Sequence, residues 1–417
     1  MEDDNNFQPK DKYTDKQQYS KINKKIVENE RKKHLSKQKE TWYAISIKLY
    51  KYRDTEGEEY VSSYLEIPNN YSENLAKLIK KKEDIFTKGK ILTFKTQKGP
   101  RDFSFDAVVE KSDKSCVFIV PIKEQLRNNL SSLLGNYNVK ERSGDLTYER
   151  MSIAIDEFVG PDCMDPDVER AILGQGLKWK FLDVFDYNKS FDGYLDGLGS
   201  IGNRIGRRIE NVLVYPVSTV LLSKSTGLKT VCFIIDAIFR MRRNYKDKIL
   251  VCSSSNLSAD MIAMDLLRAD GYNEYYRFLR VYAKNQELIR RQKNLYINSL
   301  HGKLREEIWR ERNCNQHKKG KKSNEITSKK DIKNWIIDNS NIIISTCVNS
   351  YCDDLINYEF PFVIIVNADN STEQESLIPI TLKVKHVTLI SYEGNETKYD
   401  NLYKRMKRLY PAAHFKM

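Results

Sequence analysis

Residues 217–252, VSTVLLSKSTGLKTVCFIIDAIFRMRRNYKDKILVC, decide the fold. An apolar run at 217–222 leads through a tight turn into an amphipathic helical stretch, and a second apolar run follows at 248–252. Continuous apolar runs suit strands covered on both faces, and a helix between two of them makes a crossover. The segment therefore reads as the start of an open, parallel α/β sheet. Its turn, SKSTGLKT at 223–230, has the outline of a phosphate-binding loop. Lys229 and Thr230 occupy the last two positions of GxxxxGK[ST]. Glycines let such a loop wrap a phosphate with backbone N–H groups that a Cβ would obstruct. Ser223, Thr226 and Leu228 stand at the glycine positions, and Gly227 is one place off. The spacing predicts a distorted loop, with Gly227, Lys229 and Thr230 as its candidate nucleotide-binding residues. The competing reading makes Lys229 a solvated lysine at a helix start and Thr230 a helix cap.

Downstream the α/β pattern continues to the end of the sequence. Apolar runs recur at 278–282 (FLRVY), 341–346 (NIIIST), 362–366 (FVIIV) and 386–390 (HVTLI), with helical stretches between them. With the first two runs they predict six strands in one doubly wound domain over 207–417. An insertion at 285–340 holds amphipathic helix, then a flexible basic loop at 313–330, NCNQHKKGKKSNEITSKK. The last helix, KYDNLYKRMKRLY, is stopped by Pro411.

Upstream the character changes. Residues 1–12 read as a disordered polar tail, and 13–41 as an exposed stalk helix with a thin apolar stripe. Over 42–144, short alternating segments such as WYAISIKLYKY and KGKILTFKTQ, separated by turn signals, predict a small accessory β-barrel. Residues 145–206 read as helical stalk and connector. TYERMSIAIDEFV places Met151, Ile153, Ile155 and Phe158 near one side, and Asp165 with Pro166 starts a second helix.

The chain has 417 residues and a net charge of +13, so a polyanion is one expected partner and simple solubility the alternative. Seven cysteines without a C-x-x-C pair argue against a disulfide framework or zinc cluster. Cys314 and His317 alone do not complete a tetrahedral metal site. No apolar run reaches the ~20 residues of a membrane span, and the N-terminus has no apolar signal region. A soluble, cytoplasmic protein is expected.

Three further stretches carry a resemblance. LVCSSSNLSAD at 250–260 is similar to the second-strand motif of superfamily-one helicases, with Ser255, Asn256 and Asp260 matching and Ser254 in place of proline. IIISTCVNS at 342–350 resembles their later nucleic-acid motif, and STEQESLIPITL at 371–382 the helix after their metal-binding carboxylates. Together they most resemble the up-frameshift (Nam7-type) RNA helicases of nonsense-mediated mRNA decay. The likeness covers about residues 13–410. It implies a RecA-like, P-loop-type domain with a parallel sheet, preceded by a small β-barrel and a helical stalk. It also implies a truncated relative, lacking the family's zinc domain and second RecA-like domain. On this resemblance Ser255, Asn256 and Thr346 are candidate nucleic-acid-binding residues.

The same alignment removes the hydrolytic groups. The family's Asp-Glu pair falls on Val366 and Asn367, with Asp369 two residues later as a displaced carboxylate. The Gly-Asp-x-x-Gln motif falls on SYEGN at 391–395, putting Tyr392 and Asn395 where aspartate and glutamine would be. The adenine-contacting glutamine falls near Gly206. Losing a positioned general base alone costs roughly 10²–10⁴ in rate. No catalytic residue, resident metal or cofactor is expected, and ATP with magnesium stays open only as weak binding at the loop. The expected partners are RNA and proteins of RNA decay. Two alternatives stand: an active helicase subunit completed by a second chain, and a protein-interaction scaffold without nucleic acid.

Overall fold

The computed structural model describes residues 9–37, 43–53, 59–66, 90–96, 103–112, 116–122, 126, 130–141, 145–177, 182–186, 208–223, 227–268, 277–283, 286, 295, 297–317, 328–394 and 399–417. They divide into two compact units.

The smaller unit, Lys32–Gly144 with Ala283–Arg291, contains a closed antiparallel barrel. Its strands are β1 (Tyr43–Arg53), β2 (Glu59–Glu66), β3 (Ile91–Thr96), β4 (Ser104–Ser112), β5 (Cys116–Pro121) and β6 (Gly135–Glu141), paired in the order β1-β2-β5-β4-β3-β6. The alternation read from the sequence turns Leu92, Phe94, Phe105, Ala107, Tyr137 and Val139 inward. Phe94 faces Phe105 across β3 and β4, the two rings stacked 4.8 Å apart, and Tyr137 meets Phe105 edge-on at 5.5 Å. Closure leaves no bare sheet edge.

The larger unit is built on a seven-stranded parallel sheet ordered β13-β7-β12-β11-β8-β10-β9. In chain order the strands are β7 (Val217–Leu222), β8 (Ile249–Ser253), β9 (Phe278–Arg280), β10 (Ile342–Thr346), β11 (Phe362–Val366), β12 (His386–Tyr392) and β13 (His414–Lys416). The structure is thus the α/β, RecA-like architecture with an accessory barrel. It has one strand more than the six expected: β13 is three residues long, too short to carry a periodicity.

Helices cover both faces. One face carries α4 (Gly227–Met241) and α5 (Asn256–Arg268), whose Val231, Ile234, Ile238 and Ile262 pack with Val220, Val251, Ile364 and Val366 of the sheet. The other carries α1 (Lys16–Lys37), α2 (Asp145–Val159), α3 (Pro166–Ile172), α6 (Leu300–His317), α7 (Lys329–Asp338), α8 (Glu373–Ile380) and α9 (Leu402–Leu409), packed on Leu250, Val363 and Leu389. Asp165 caps α3 by accepting from the Asp167 amide, with Pro166 at its first position.

The polar interior of this second face is organised by Arg405. Its guanidinium makes a two-point pair with Glu373, at 3.0 and 2.6 Å, and donates to the carbonyls of Asp11 and Ile172. Burial works against the Arg405 charge, and the Glu373 carboxylate more than restores it, so its pKa is raised. Gln374 donates to Asn23 at 2.6 Å, and the fully buried Tyr19 packs on Phe158. These contacts fasten the segment around residues 11–23 to the sheet unit.

Several local expectations change. Ile153 is 41% exposed, so the buried face of α2 consists of Met151, Ala154, Ile155 and Phe158; spacing by three and four selects these, and Ile153 lies off that stripe. Of the 1–12 tail, residues 1–8 lie outside the described residues, whereas Asp11 pairs with Arg408 at 2.6 Å. The 313–330 stretch is helical at both ends. α6 runs through His317, and Ser328 opens α7 with a capping box to Asp331. Its middle, 318–327, lies outside the described residues, as does most of the 174–206 connector.

Candidate nucleotide and nucleic-acid site

The loop of the opening segment leaves β7 at Ser223. That residue's amide donates to the Met417 carbonyl at 3.0 Å, and the Met417 amide donates to Leu221 at 2.9 Å. The β13 pairing therefore extends along β7 to the first residue of the loop. Gly227 starts α4. Residues 224–226 and the side chains of 227–229, Lys229 included, lie outside the described residues, as does Gly206. Thr230 sits inside the first turn of α4, buried at 2% exposure, and so is not its cap. A cap precedes the helix; here the helix begins three residues earlier.

Two strands away, with β12 between, β11 stops at Val366, whose side chain is fully buried among the apolar residues around α4 and α5. Asn367 follows in the left-handed region, φ 56° and ψ 42°, which asparagine tolerates better than most residues. Its Nδ2 donates to Ser258 Oγ at 2.7 Å. The displaced carboxylate, Asp369, lies in a 3-10 turn at Ala368–Asn370, buried at 4% exposure. Burial raises its pKa, against a hydrogen bond from Ser391 and the nearby charge of Lys404. Its carbonyl accepts from Asn401 Nδ2 at 2.7 Å. On β12, burial pushes the Tyr392 phenol up to about 12, with Asp265, Cys232 and Asp369 adding to the effect.

A magnesium-bound nucleotide requires hard oxygen ligands and an acceptor for a water proton beyond these strands. A buried valine offers no ligand, and neither an amide nor a neutral phenol can take the proton from water. Among the described residues, no set of three or more His, Cys, Asp or Glu side chains could hold a metal ion.

The ends of β8 and β10 differ. Ser255 is exposed, and its Oγ accepts from the Ser258 amide at 3.2 Å, capping α5. Thr346 Oγ1 accepts from the Asn349 amide at 3.3 Å at the end of β10. Asn256 is half-buried, and its Oδ1 accepts from Arg280 Nη2 at 2.9 Å. Arg280 is fully buried in β9. It also donates from Nε to Asp260 at 3.0 Å and from Nη1 to the Val281 carbonyl at 2.7 Å, and it lies 4.0 Å from the Tyr282 ring. Burial pulls its pKa down to about 10, so it stays charged at neutral pH. One arginine thus holds both Asn256 and Asp260 of the SSSNLSAD motif against the strand next to β10. Sequence reasoning missed it. The signal was a lone charge in the apolar run FLRVY, matched by Asp260 on the buried side of a largely apolar helix.

Comparison with known proteins adds a relationship. A family model described as an AAA domain matches residues 286–390, a stretch that includes β10, β11 and most of β12 and excludes the 223–230 loop. The chain is 25% identical over 193 residues to the regulator of nonsense transcripts 1 homolog of Arabidopsis thaliana, covering 44% of this chain and 15% of that protein. It is 26% identical over 262 residues to the ATP-dependent helicase NAM7 of Saccharomyces cerevisiae, covering 58% of this chain and 25% of that protein. The chain therefore spans a quarter or less of the length of these relatives.

Proposed function

This chain being a relative of the up-frameshift-type superfamily-one helicases, we propose that it is a cytoplasmic pseudo-helicase: it binds RNA, or protein partners of RNA decay, without hydrolysing ATP. One observation carries the reading. The end of β11 offers Val366 and an asparagine bonded to Ser258 in place of two carboxylates. Valine cannot hold magnesium, and asparagine cannot take a proton from water. Gly227, Lys229 and Thr230 then belong to a helix start, retaining at most weak nucleotide contact and no turnover.

On the RNA side, the exposed Ser255 and the half-exposed Thr346 present hydroxyls at adjacent strand ends. Such groups hold phosphate and ribose oxygens without reading sequence. The amide nitrogen of Asn256 remains as a donor, since its oxygen is committed to Arg280. The net charge of +13 supplies the long-range attraction.

Binding of a single-stranded RNA, titrated against salt, tests this reading. Affinity is expected to fall steeply with salt, and to weaken several-fold in a Ser255→Ala/Thr346→Ala variant. No binding at low salt would favour a protein-interaction scaffold instead.

A further inference from the structure

β7 and β12 are adjacent and parallel, yet they hand the chain to opposite faces of the sheet. β7 leads into α4, packed with α5 on one face, and β12 leads into α9, packed with α8 on the other. Helices leaving neighbouring strand ends for opposite faces open a crevice at the carboxyl edge, where open α/β sheets take their ligands. A cavity of about 540 Å³ lies there on the α9 side, within the ~300–1,000 Å³ of small-molecule sites.

Its chemistry is divided. From α9 come Lys404, Lys407 and Arg408; from the strand-end side come Asp369, Ser391 and Glu393. Tyr392 and Tyr403 line it as well. Arg408 is held in place by Asp400, at 2.8 Å to each carboxylate oxygen, and by Asp11 at 2.6 Å. Lys404 donates to the Tyr399 carbonyl at 2.9 Å. Lys407 is exposed at the mouth. Cations on one side suit a phosphate. The exposed Glu393 on the other suits ribose hydroxyls or ring amines, and the half-buried Tyr392 ring suits a planar base. Inorganic phosphate would use only one side of this arrangement.

We propose that this cavity is a binding site for a single nucleoside monophosphate, with the phosphate at Lys404 and Lys407. The cavity lining includes Leu221 of β7 and no described residue of the 223–230 loop. The site needs no metal and no hydrolysis, so it stands independently of the RNA-binding reading.

Calorimetric titration of the full chain with AMP, adenosine and inorganic phosphate, without magnesium or RNA, tests it. AMP is expected to bind at one site, with adenosine and phosphate each at least about tenfold weaker. Lys407→Glu, an exposed change, is expected to weaken AMP about tenfold or more, and Lys404→Gln/Lys407→Gln to do the same, while Lys229→Ala leaves it unchanged. Thermal midpoints without ligand confirm that the variants fold. Loss of AMP binding in Lys229→Ala with retention in Lys407→Glu would place the phosphate at the loop and overturn the proposal. So would equal affinity for inorganic phosphate, or no AMP binding at millimolar concentration.

Discussion

The carboxyl edge of the parallel sheet has two halves that have fared differently. Beneath the ends of β8 and β10, Arg280 joins Asn256, Asp260 and the Val281 carbonyl in a bonded, buried network. At the ends of β11 and β12 stand Val366, Asn367 and Tyr392: the valine is fully buried, the asparagine donates to Ser258, and burial raises the tyrosine's pKa. The first half keeps its helicase-like residues for a reason that folding alone supplies. A buried arginine needs its acceptors, and losing them would leave a desolvated charge. The second half shows the converse. Unpaired carboxylates beside a fully buried strand are costly, and valine or asparagine removes the cost. Retention of Asn256 and Asp260 is therefore weaker support for nucleic-acid binding than the motif alone implies. The surface hydroxyls of Ser255 and Thr346 carry that reading.

The largest effect expected from breaking this contrast is at Arg280. Arg280→Met strands Asp260, and a cost of about 3–5 kcal/mol is expected in urea denaturation. The double variant Arg280→Met/Asp260→Leu should recover most of it. If the single variant is nearly neutral, the network does not explain the motif.

Next comes restoring the missing charge. Val366→Asp puts a carboxylate into a site with 0% exposure, and about 3 kcal/mol of destabilisation is expected. Val366→Asp/Asn367→Glu should not create ATP turnover, because position 366 is enclosed by apolar side chains. Turnover in that variant would show instead that only two side chains were lacking.

The opposite end of β12 sharpens the contrast through pH. His386 is fully buried, its ring bonded to the Tyr215 carbonyl at 3.0 Å and to Thr388 Oγ1 at 2.9 Å, and burial lowers its pKa to about 4. Since the folded pKa lies below the unfolded ~6.5, the unfolded chain takes up the proton first as pH falls. Its contribution is intact above about pH 6.5 and is lost between there and about pH 4, by up to about 3 kcal/mol. Buried carboxyls with raised pKa, such as Asp236 and Asp369, work in the opposite direction. The difference between wild type and His386→Gln isolates the histidine; a pH-independent difference would refute its burial as a neutral group. Smallest is the cap. Ser255→Ala should cost about 1 kcal/mol, seen as a lowered urea midpoint.

Apolar runs placed β7, β8, β9, β10, β11 and β12 from the sequence alone, because strands buried on both faces have no polar alternation to confuse the reading. β13 was hidden, since three residues between Pro411 and the last residue hold no pattern and their pairing with β7 is a long-range contact. At the site, Ser255, Asn256 and Thr346 were legible as motif members, but the commitment of Asn256 to Arg280 was not. Residues 256 and 280 are neighbours only after β9 adds to β10, and no local spacing encodes that. Ile153 erred for a simpler reason: a mostly apolar helix segment has more apolar residues than its buried stripe can hold.

The central claim is that the carboxyl edge has lost hydrolysis, and steady-state ATPase measured with and without single-stranded RNA tests it most directly. The expected result is no turnover above background in either condition, with Lys229→Ala indistinguishable from wild type. An RNA-stimulated ATPase that disappears in Lys229→Ala would contradict it.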